Sequence, residues 1–319
     1  MSANLSSAGI RHRPGAWSRL ASCFGVERVH LITGGLGNQM FQHAYAMALQ
    51  SADGVRAAVD GSRCGNKKPY VGYEIDRVFV LDGALPKLSW ASSQLLYRTA
   101  RACGAIVTDH GDVRFDPRFM RPGIVGYVQG FFPSYRYFSH DEGRVRQAFR
   151  FREPLPAGLA YLATELGEVD SVAVHVRRGD YLQGDHAKAF AGICTPAYYR
   201  SAIRFLRAER PSARFYFFSD DPQWCREEFA DVATQVIDGN PGATAWMDLA
   251  LMARCRHAII ANSSFSWWGR WLGGYGDAVC VGPSKLMNAT DTLTTIEDFL
   301  QPRFTLIDEH GTIVRPAVT

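Results

Sequence analysis

The second half of the chain alternates regularly between short apolar strand patterns and longer helical patterns. The predicted strands are 171–177, 214–219, 234–238, 257–261 and 278–282, and the predicted helices between them are 196–209, 222–231, 243–254 and 265–272. Proline at Pro196 and Pro222 supports two helix starts, because proline fits the first turn after an N-cap residue. Alternation of this kind predicts a parallel sheet with helices on both faces.

The first half of the chain opens in a similar way. Residues 27–33 predict a strand, 34–37 form a glycine turn, and 38–50 carry apolar residues at helical spacing. This order of strand, glycine turn and helix begins a nucleotide-binding type of α/β domain. A second strand is predicted at 55–60, whereas the region from there to about residue 120 has no regular pattern.

The predicted fold class is therefore α/β, with two Rossmann-like domains facing a cleft. We place an N-terminal domain at 27–165 and a C-terminal domain at 166–319. Residues 1–26 contain only a brief apolar patch, and we expect them to be a poorly ordered leader.

Composition excludes several classes of function. The net charge is +4 and no run of five or six basic residues occurs, so a nucleic-acid partner is not indicated. The 7 cysteines are scattered singly, which is typical of reduced thiols in a cytosolic protein. No apolar stretch approaches the roughly 18–20 residues of a transmembrane helix.

A charged cluster ends the apolar strand that begins at Val172. His175, Arg177, Arg178 and Asp180 follow or terminate this run, at the edge of the sheet where α/β proteins bind ligands. Two adjacent guanidinium groups are too costly to bury unpaired. Either carboxylates neutralise them, or an anionic ligand such as a diphosphate does.

The glycine turn is the second candidate site. Gly35 and Gly37 allow a ligand to approach the backbone, and the helix that follows attracts an anion at its N-terminus. A tight turn without a ligand would need the same glycines. Asn38 either caps this helix or points into the cleft.

Two further groups follow predicted strands. Asp220 and Asp221 end an apolar strand; one is expected to cap the next helix, leaving the other free to bind a base or ribose. Ser263 and Ser264, which precede Phe265, either cap a helix or donate hydrogen bonds to phosphate. Trp267, Trp268 and Trp271 are expected to pack in the core. The chain contains no Asp-x-Asp motif, so we predict no metal site.

Four segments, in this order, resemble the α-1,2-fucosyltransferase family of inverting, glycosyltransferase family 11-like enzymes. They read Gly-Gly-Leu-Gly-Asn-Gln-Met-Phe-Gln at 34–42, His-Val-Arg-Arg-Gly-Asp-Tyr at 175–181, Phe-Phe-Ser-Asp-Asp at 217–221 and Ile-Ala-Asn-Ser-Ser-Phe-Ser-Trp-Trp-Gly at 260–269. The resemblance implies a GT-B-type fold, GDP-fucose as donor, a galactose-terminated oligosaccharide as acceptor, and no metal or other cofactor. Animal members usually carry a membrane anchor that this sequence lacks, which favours a bacterial enzyme in the cytoplasm or peripheral to the inner membrane.

The resemblance also implies roles for individual residues. Arg177 would grip the β-phosphate and Asn38 would face the reacting centre. The other implied donor-binding residues are His175 and Asp220 at the guanosine, Ser263, Ser264 and Phe265 at the diphosphate or fucose, and Gly35, Gly37 and Arg178. The resemblance thus makes 27–165 the acceptor-side domain and 166–319 the domain that binds GDP-fucose.

Residue chemistry agrees with a catalytic role for Arg177. Negative charge builds on a departing diphosphate, so a fixed cation there stabilises the transition state more than the ground state. Asp180 is our hypothesis for the general base, although a salt bridge that orients the arginines explains it equally well.

Other functions remain open at this point. The family could use another GDP-sugar, linkage or acceptor, and a catalytically silent protein that binds GDP or a glycan has the same motifs. A nicotinamide oxidoreductase is disfavoured, because the glycine spacing and the acidic ribose partner of such enzymes are missing.

Overall fold

The computed structural model describes residues 15–65, 72–109, 113–274, 276–288 and 292–318. The strands are β1 (Arg28–Leu31), β2 (Ala57–Asp60), β3 (Ile106–Thr108), β4 (Gly126–Gln129), β5 (Ser171–Val176), β6 (Arg214–Ser219), β7 (Gln235–Val236), β8 (His257–Ile259), β9 (Cys280–Pro283), β10 (Phe304–Ile307) and β11 (Ile313–Arg315). The helices are α1 (Gly15–Cys23), α2 (Leu36–Asp53), α3 (Ile75–Val78), α4 (Trp90–Cys103), α5 (Glu142–Ala148), α6 (Ala157–Glu168), α7 (Gly184–Phe190), α8 (Pro196–Glu209), α9 (Pro222–Glu228), α10 (Trp246–Met252), α11 (Ser264–Leu272) and α12 (Thr292–Phe299). Short 3₁₀ turns occur at Pro117–Met120, Tyr135–Tyr137, Ser139–Asp141, Asp180–Leu182 and Gly242–Thr244.

The first sheet has the strand order β2-β1-β4-β3, and its strands are all parallel. The chain moves from β1 outward to β2 and then crosses over to the other side of β1. The switch point therefore lies between β1 and β4, where the carboxyl ends of the strands leave a crevice.

The second sheet has the order β11-β10-β9-β8-β5-β6-β7, and only β11 is antiparallel. All six residues of β5 are buried, as expected for a strand covered on both faces. Its switch point lies between β5 and β8. The two sheets confirm the predicted α/β class with two Rossmann-like units.

Helix α6 contains the predicted domain limit at residue 165. It packs against β5 and α10 of the second unit. The limits 27–165 and 166–319 stay a prediction.

Helix α1 corrects part of the predicted leader. Trp17 is 2% exposed and its Nε1 donates a hydrogen bond to the carbonyl of Glu27 at 2.9 Å. Burial of Trp17 and Ala21 against the first unit orders residues 15–26, so the expectation of poor order is wrong there. Residues 1–14 of the leader lie outside the described residues.

An aromatic cluster joins the helices of the two units. Phe41 of α2 lies 4.8 Å from Trp267 and 4.9 Å from Trp268 of α11, measured between ring centroids. Trp267, Trp268 and Trp271 are all nearly fully buried, which confirms their predicted place in the core. The cluster fixes α2 and α11 against each other, and the first turns of both helices reach the site described below.

Two structural expectations concern thiols and membranes. All 7 cysteines are unpaired in the structure. In the described ranges, no helix combines the length and the apolar character needed to cross a lipid bilayer.

Candidate active site

The glycine turn of the first unit contacts the start of α11 in the second. A Cβ atom on Gly37 would lie 2.7 Å from the backbone nitrogen of Phe265 and 2.7 Å from Oγ of Ser264. Nε1 of Trp268 donates a hydrogen bond to the carbonyl of Gly37 at 3.0 Å. Only glycine fits at this position. The group that approaches the backbone of Gly37 closely is the start of α11, in the same chain.

Asn38 points across the cleft rather than capping its helix. Gly35 is the N-cap of α2 and provides no side-chain hydrogen bond. Oγ of Ser264 donates a hydrogen bond to Oδ1 of Asn38 at 2.9 Å. Of the two alternatives for Asn38, the structure therefore favours the one in which its side chain points into the cleft. The hydrogen bond joins two residues that are 226 positions apart in the sequence.

Arg177 emerges from the end of β5 between two carboxylates. Its Nη2 lies 2.7 Å from Oδ1 of Asp180, and its Nη1 lies 3.2 Å from Oδ2 of Asp220. Burial alone would lower the pKa of Arg177, but the carboxylates of Asp220 and Asp180 outweigh that effect and raise it. The guanidinium is therefore charged, and the side chain of Arg177 is 26% exposed.

Arg178 turns the opposite way, towards α9. Its Nε lies 3.0 Å from Oδ2 of Asp221, and its guanidinium lies 4.0 Å from the centre of the Trp224 ring. Oδ1 of Asp221 also accepts the backbone N–H of Trp224 at 3.2 Å, which confirms that one of the two aspartates caps α9. Arg178 therefore links the end of β5 to the start of α9.

Asp220 is engaged on both of its oxygens. Besides its contact with Arg177, it accepts the backbone N–H of Arg178 at 2.8 Å. A Cβ on Gly179 would lie 2.8 Å from Oδ2 of Asp220, so a glycine is needed beside it. Asp220 is thus held by the two arginines that follow β5, and its role in binding a base or ribose stays a prediction.

Asp180 is similarly restrained. Its Oδ2 lies 3.5 Å from Nδ1 of His186, and its side chain is 14% exposed. With Arg177 on the other oxygen, this geometry matches the second alternative, in which Asp180 orients the arginine.

His175 is buried directly behind Arg177. Its ring lies 5.9 Å from the ring of Phe265, and the residue is 6% exposed. Burial, assisted by the charge of Arg177, lowers the pKa of His175 to about 4, so the imidazole is neutral at neutral pH. Its Nδ1 has no hydrogen-bond partner among the described residues, which is unusual for a buried polar atom and typical of a ligand-binding position.

Ser263 and Ser264 differ in their contacts. Oγ of Ser263 accepts the backbone N–H of Phe265 at 3.3 Å and caps α11, as the plainer alternative predicts. Ser264, the first residue of the helix, instead faces Asn38. The backbone N–H groups at this helix start lie at the switch point of the second sheet, beside His175.

Sequence reasoning missed several residues of the site. The hydroxyl of Tyr181 donates to the carbonyl of Asn262 at 3.0 Å, and Nδ2 of Asn262 donates to the carbonyls of Phe190 at 3.3 Å and Leu286 at 3.1 Å. Asn262 thus fixes three loops around the switch point. Its place directly after a buried strand was the available signal.

Glu74 is a second residue that the pattern did not reveal. Burial raises the pKa of this carboxyl to about 7, although Arg77 and the backbone N–H of Leu36 act in the opposite direction. Because Leu36 begins α2, Glu74 lies at the glycine turn. Within the described residues no group of three or more histidine, cysteine or acidic side chains could hold a metal ion.

Comparisons with known proteins identify the family. The family model described as "Glycosyl transferase family 11" matches residues 122–305, more than half of the chain. The chain is 30% identical to an alpha-1,2-colitosyltransferase of Escherichia coli, over 79% of this chain and 90% of that protein. It is 30% identical to the human galactoside alpha-(1,2)-fucosyltransferase 1, over 77% of this chain and 65% of the human protein, so it spans about two thirds of that relative.

Among solved structures, the NodZ alpha-1,6-fucosyltransferase co-crystallized with GDP matches with a TM-score of 0.47 at 15% identity, covering 77% of this chain and 92% of that one. The family match and the relatives agree with the resemblance of the four segments. The chain therefore belongs to glycosyltransferase family 11 and is a fucosyltransferase-like glycosyltransferase.

Proposed function

We propose that this protein is an inverting galactoside α-1,2-fucosyltransferase that uses GDP-fucose as donor and needs no metal ion or other cofactor. The observation that carries the proposal is the position of Arg177. Its side chain follows β5 at the switch point of the second sheet and is partly exposed. On the other side of the switch point, α11 follows β8, and its first residue, Ser264, donates a hydrogen bond to Asn38 of the other unit.

The chemistry follows from the charges around Arg177. Arg177 and Arg178 face three carboxylates, those of Asp180, Asp220 and Asp221. A diphosphate that enters this cluster can accept hydrogen bonds from further N–H groups of Arg177, because a guanidinium carries five N–H donors and Asp180 and Asp220 contact one nitrogen each. Arg177 then stabilises the negative charge that develops on the leaving GDP, the work a divalent cation does in other transferases.

The remaining residues have supporting roles in this proposal. Nδ1 of His175 bonds to the nucleotide, which satisfies a buried polar atom. The backbone N–H groups of Ser264 and Phe265, at the start of α11, bind the diphosphate with the favourable end of the helix dipole. Asp180 and Asp220 orient Arg177 towards the diphosphate.

The acceptor of this proposal is a galactose at the end of a glycan, attacked through its 2-hydroxyl. The identity to the human galactoside enzyme supports this acceptor, as does the identity to the colitosyltransferase, which shares the α-1,2 linkage in its name. The unpaired cysteines support a cytoplasmic location.

GDP release tests the donor. Purified protein is incubated with lactose or methyl β-galactoside and either GDP-fucose or GDP-mannose, with and without a chelator. We expect acceptor-dependent GDP release with GDP-fucose only, unchanged by the chelator. Release that depends on a divalent ion would contradict the metal-independent mechanism, and release with another donor would contradict the donor assignment.

A second candidate is transfer of colitose, which is fucose without its 3-hydroxyl. The identity to the Escherichia coli colitosyltransferase favours it, since the alignment covers most of both chains. Supplying GDP-fucose and GDP-colitose together in one reaction, and comparing the amounts of the two products, distinguishes the two candidate functions. A site that hydrogen-bonds the 3-hydroxyl discriminates against the deoxy sugar by a large factor, on the order of 10⁴.

A further inference from the structure

The switch point of the first sheet carries an aromatic ring beside Asn38. Phe131 follows β4, and Gly34 follows β1, so both lie in the crevice between these strands. A Cβ on Gly34 would lie 3.0 Å from Nδ2 of Asn38 and 3.4 Å from Cε1 of Phe131. The ring of Phe131 and the amide of Asn38 are therefore neighbours over the same glycine, and Asn38 in turn touches Ser264.

The ring of Phe131 is open to the surroundings, unlike that of the next residue. Phe131 is 43% exposed, whereas Phe132 is 3% exposed and stacks on Tyr45 with ring centroids 3.9 Å apart. Exposing one ring of an aromatic pair while burying the other requires a fixed backbone.

The backbone of this loop is fixed by Asp109. Its Oδ2 accepts the backbone N–H groups of Phe131 at 3.0 Å and Phe132 at 3.4 Å. Phe132 has a φ of 47°, a left-handed conformation that is uncommon for a residue other than glycine. A Cβ on Gly130 would lie 2.3 Å from Cγ of Asp109, so the carboxylate can approach only because this residue is glycine. Such locally strained and tightly bonded segments are typical of binding sites.

We propose that Phe131 is the platform on which the acceptor sugar ring stacks, with Asn38 beside it directing the attacking hydroxyl. The inference rests on the proposed galactoside acceptor. A galactose ring presents the C–H groups of C3, C4 and C5 on one face, and this apolar face suits an exposed aromatic ring, while its hydroxyls remain free for polar groups.

The position of Phe131 assigns the ring to the acceptor rather than to the donor. The groups that bind the donor in the proposed function, His175, Arg177 and the start of α11, all belong to the second unit. Phe131 belongs to the first unit and lies near Gly34, as does Nδ2 of Asn38, whereas Oδ1 of Asn38 accepts the hydrogen bond from Ser264. A sugar on Phe131 therefore meets the donor at Asn38.

Two variants of Phe131 and one control test this. Phe131→Ala removes the ring, and Phe131→Leu keeps apolar bulk without a flat face; Tyr161→Ala truncates an exposed aromatic ring on α6, 78% exposed and outside the site. We expect both Phe131 variants to raise the acceptor KM about tenfold, the effect of losing one well-placed contact, with the donor KM and the Kd for GDP unchanged. Tyr161→Ala leaves all of these constants unchanged.

Saturation-transfer NMR with methyl β-galactoside provides a readout that needs no turnover. We expect the strongest transfer at H3, H4 and H5 in the parent protein and its loss in Phe131→Ala. Equal acceptor KM and equal transfer in parent and variant would overturn the platform while leaving the proposed function intact. Absence of galactoside binding and of transfer in the parent itself would overturn both.

Discussion

Arg177 shows how one side chain can be both neutralised and available. It is paired with Asp180 and Asp220, yet about a quarter of its side chain is exposed. The sequence left two kinds of partner open for Arg177, carboxylates or an anionic ligand, and the structure contains the first. In our proposal the diphosphate of the donor is the second.

Arg177→Lys tests whether the guanidinium fork matters beyond its charge. Lysine keeps the charge but cannot bridge two acceptors with planar geometry. We expect kcat to fall about 100-fold, within the range seen when one transition-state donor is lost, with a smaller change in the donor KM. Arg200→Lys is the matched control, because Arg200 also bridges two acidic residues, Glu228 and Asp231, but on α8 and α9 away from the cleft. An unchanged kcat in Arg177→Lys would remove Arg177 from the catalytic step.

His175 gives a prediction about pH. Its folded pKa is about 4, below the ordinary value of 6.5, so the unfolded chain binds the extra proton between these values. The contribution of His175 to the free energy of unfolding is therefore full above pH 6.5 and is lost as the pH falls towards 4. Phe in place of His175 should flatten this dependence by roughly 1.4 kcal/mol per pH unit, the value for one proton.

Urea unfolding of the parent and His175→Phe between pH 4.5 and 7 measures this difference. His30 and His43 are also buried with lowered pKa values, so the parent retains part of its slope after the substitution. Identical slopes for the two proteins would mean that His175 is not held neutral by burial.

At the scale of elements, the meeting of α2 and α11 depends on Gly37. Alanine there would place a Cβ 2.7 Å from the backbone of Phe265, which cannot move away easily. We expect Gly37→Ala to lower the free energy of unfolding by about 1–3 kcal/mol and to reduce activity, because the two switch points are pushed apart. Gly167→Ala on α6 is the control: nothing lies within 4 Å of its Cβ, and alanine there should be neutral or stabilising by about 0.5–1 kcal/mol.

Thermal unfolding and GDP release, measured on both glycine variants, check this prediction. Equal stability for Gly37→Ala and the parent would show that the two helices can separate without cost.

Individual strands and helices show how much of the fold could be predicted from the sequence. The strand Arg214–Ser219 and the helix Pro196–Glu209 match their predicted bounds, because their apolar period is clear and proline marks the helix start. Helix α4 was missed because Trp90 and Leu95 are exposed on its outer face, at 70% and 47%, which blurs the apolar stripe. Strand β3 was missed because three residues are too few to show a period.

The site was predictable only in part for a related reason. Residues that follow parallel strands must meet at one edge of the sheet, so the grouping of Arg177, Asp220 and Ser264 followed from the strand pattern. The residues that these side chains contact could not be predicted from the strand pattern. The contact of Ser264 with Asn38 and the raised pKa of Glu74 depend on how the two units pack, which local patterns do not encode.

For the whole molecule, we propose that the second sheet binds the nucleotide and the first holds the acceptor, with Asn38 between their two switch points. Donor binding should then be independent of Phe131. GDP alone should raise the free energy of unfolding by about 2.7 kcal/mol at a GDP concentration of 100 times its Kd. Differential scanning fluorimetry with GDP, on the parent and on Phe131→Ala, should give equal rises in Tm; a smaller rise in the variant would contradict the separation of the two substrate sites.

The central claim is tested most directly by the structure of the product. The parent protein is incubated with GDP-fucose and methyl β-galactoside, and the purified product is examined by two-dimensional NMR. The account predicts a single new fucose with the α configuration, inverted from the β-linked donor, and a correlation from its anomeric proton to C2 of galactose. A β-linked fucose, attachment at another carbon, or no transfer to any galactoside would contradict it.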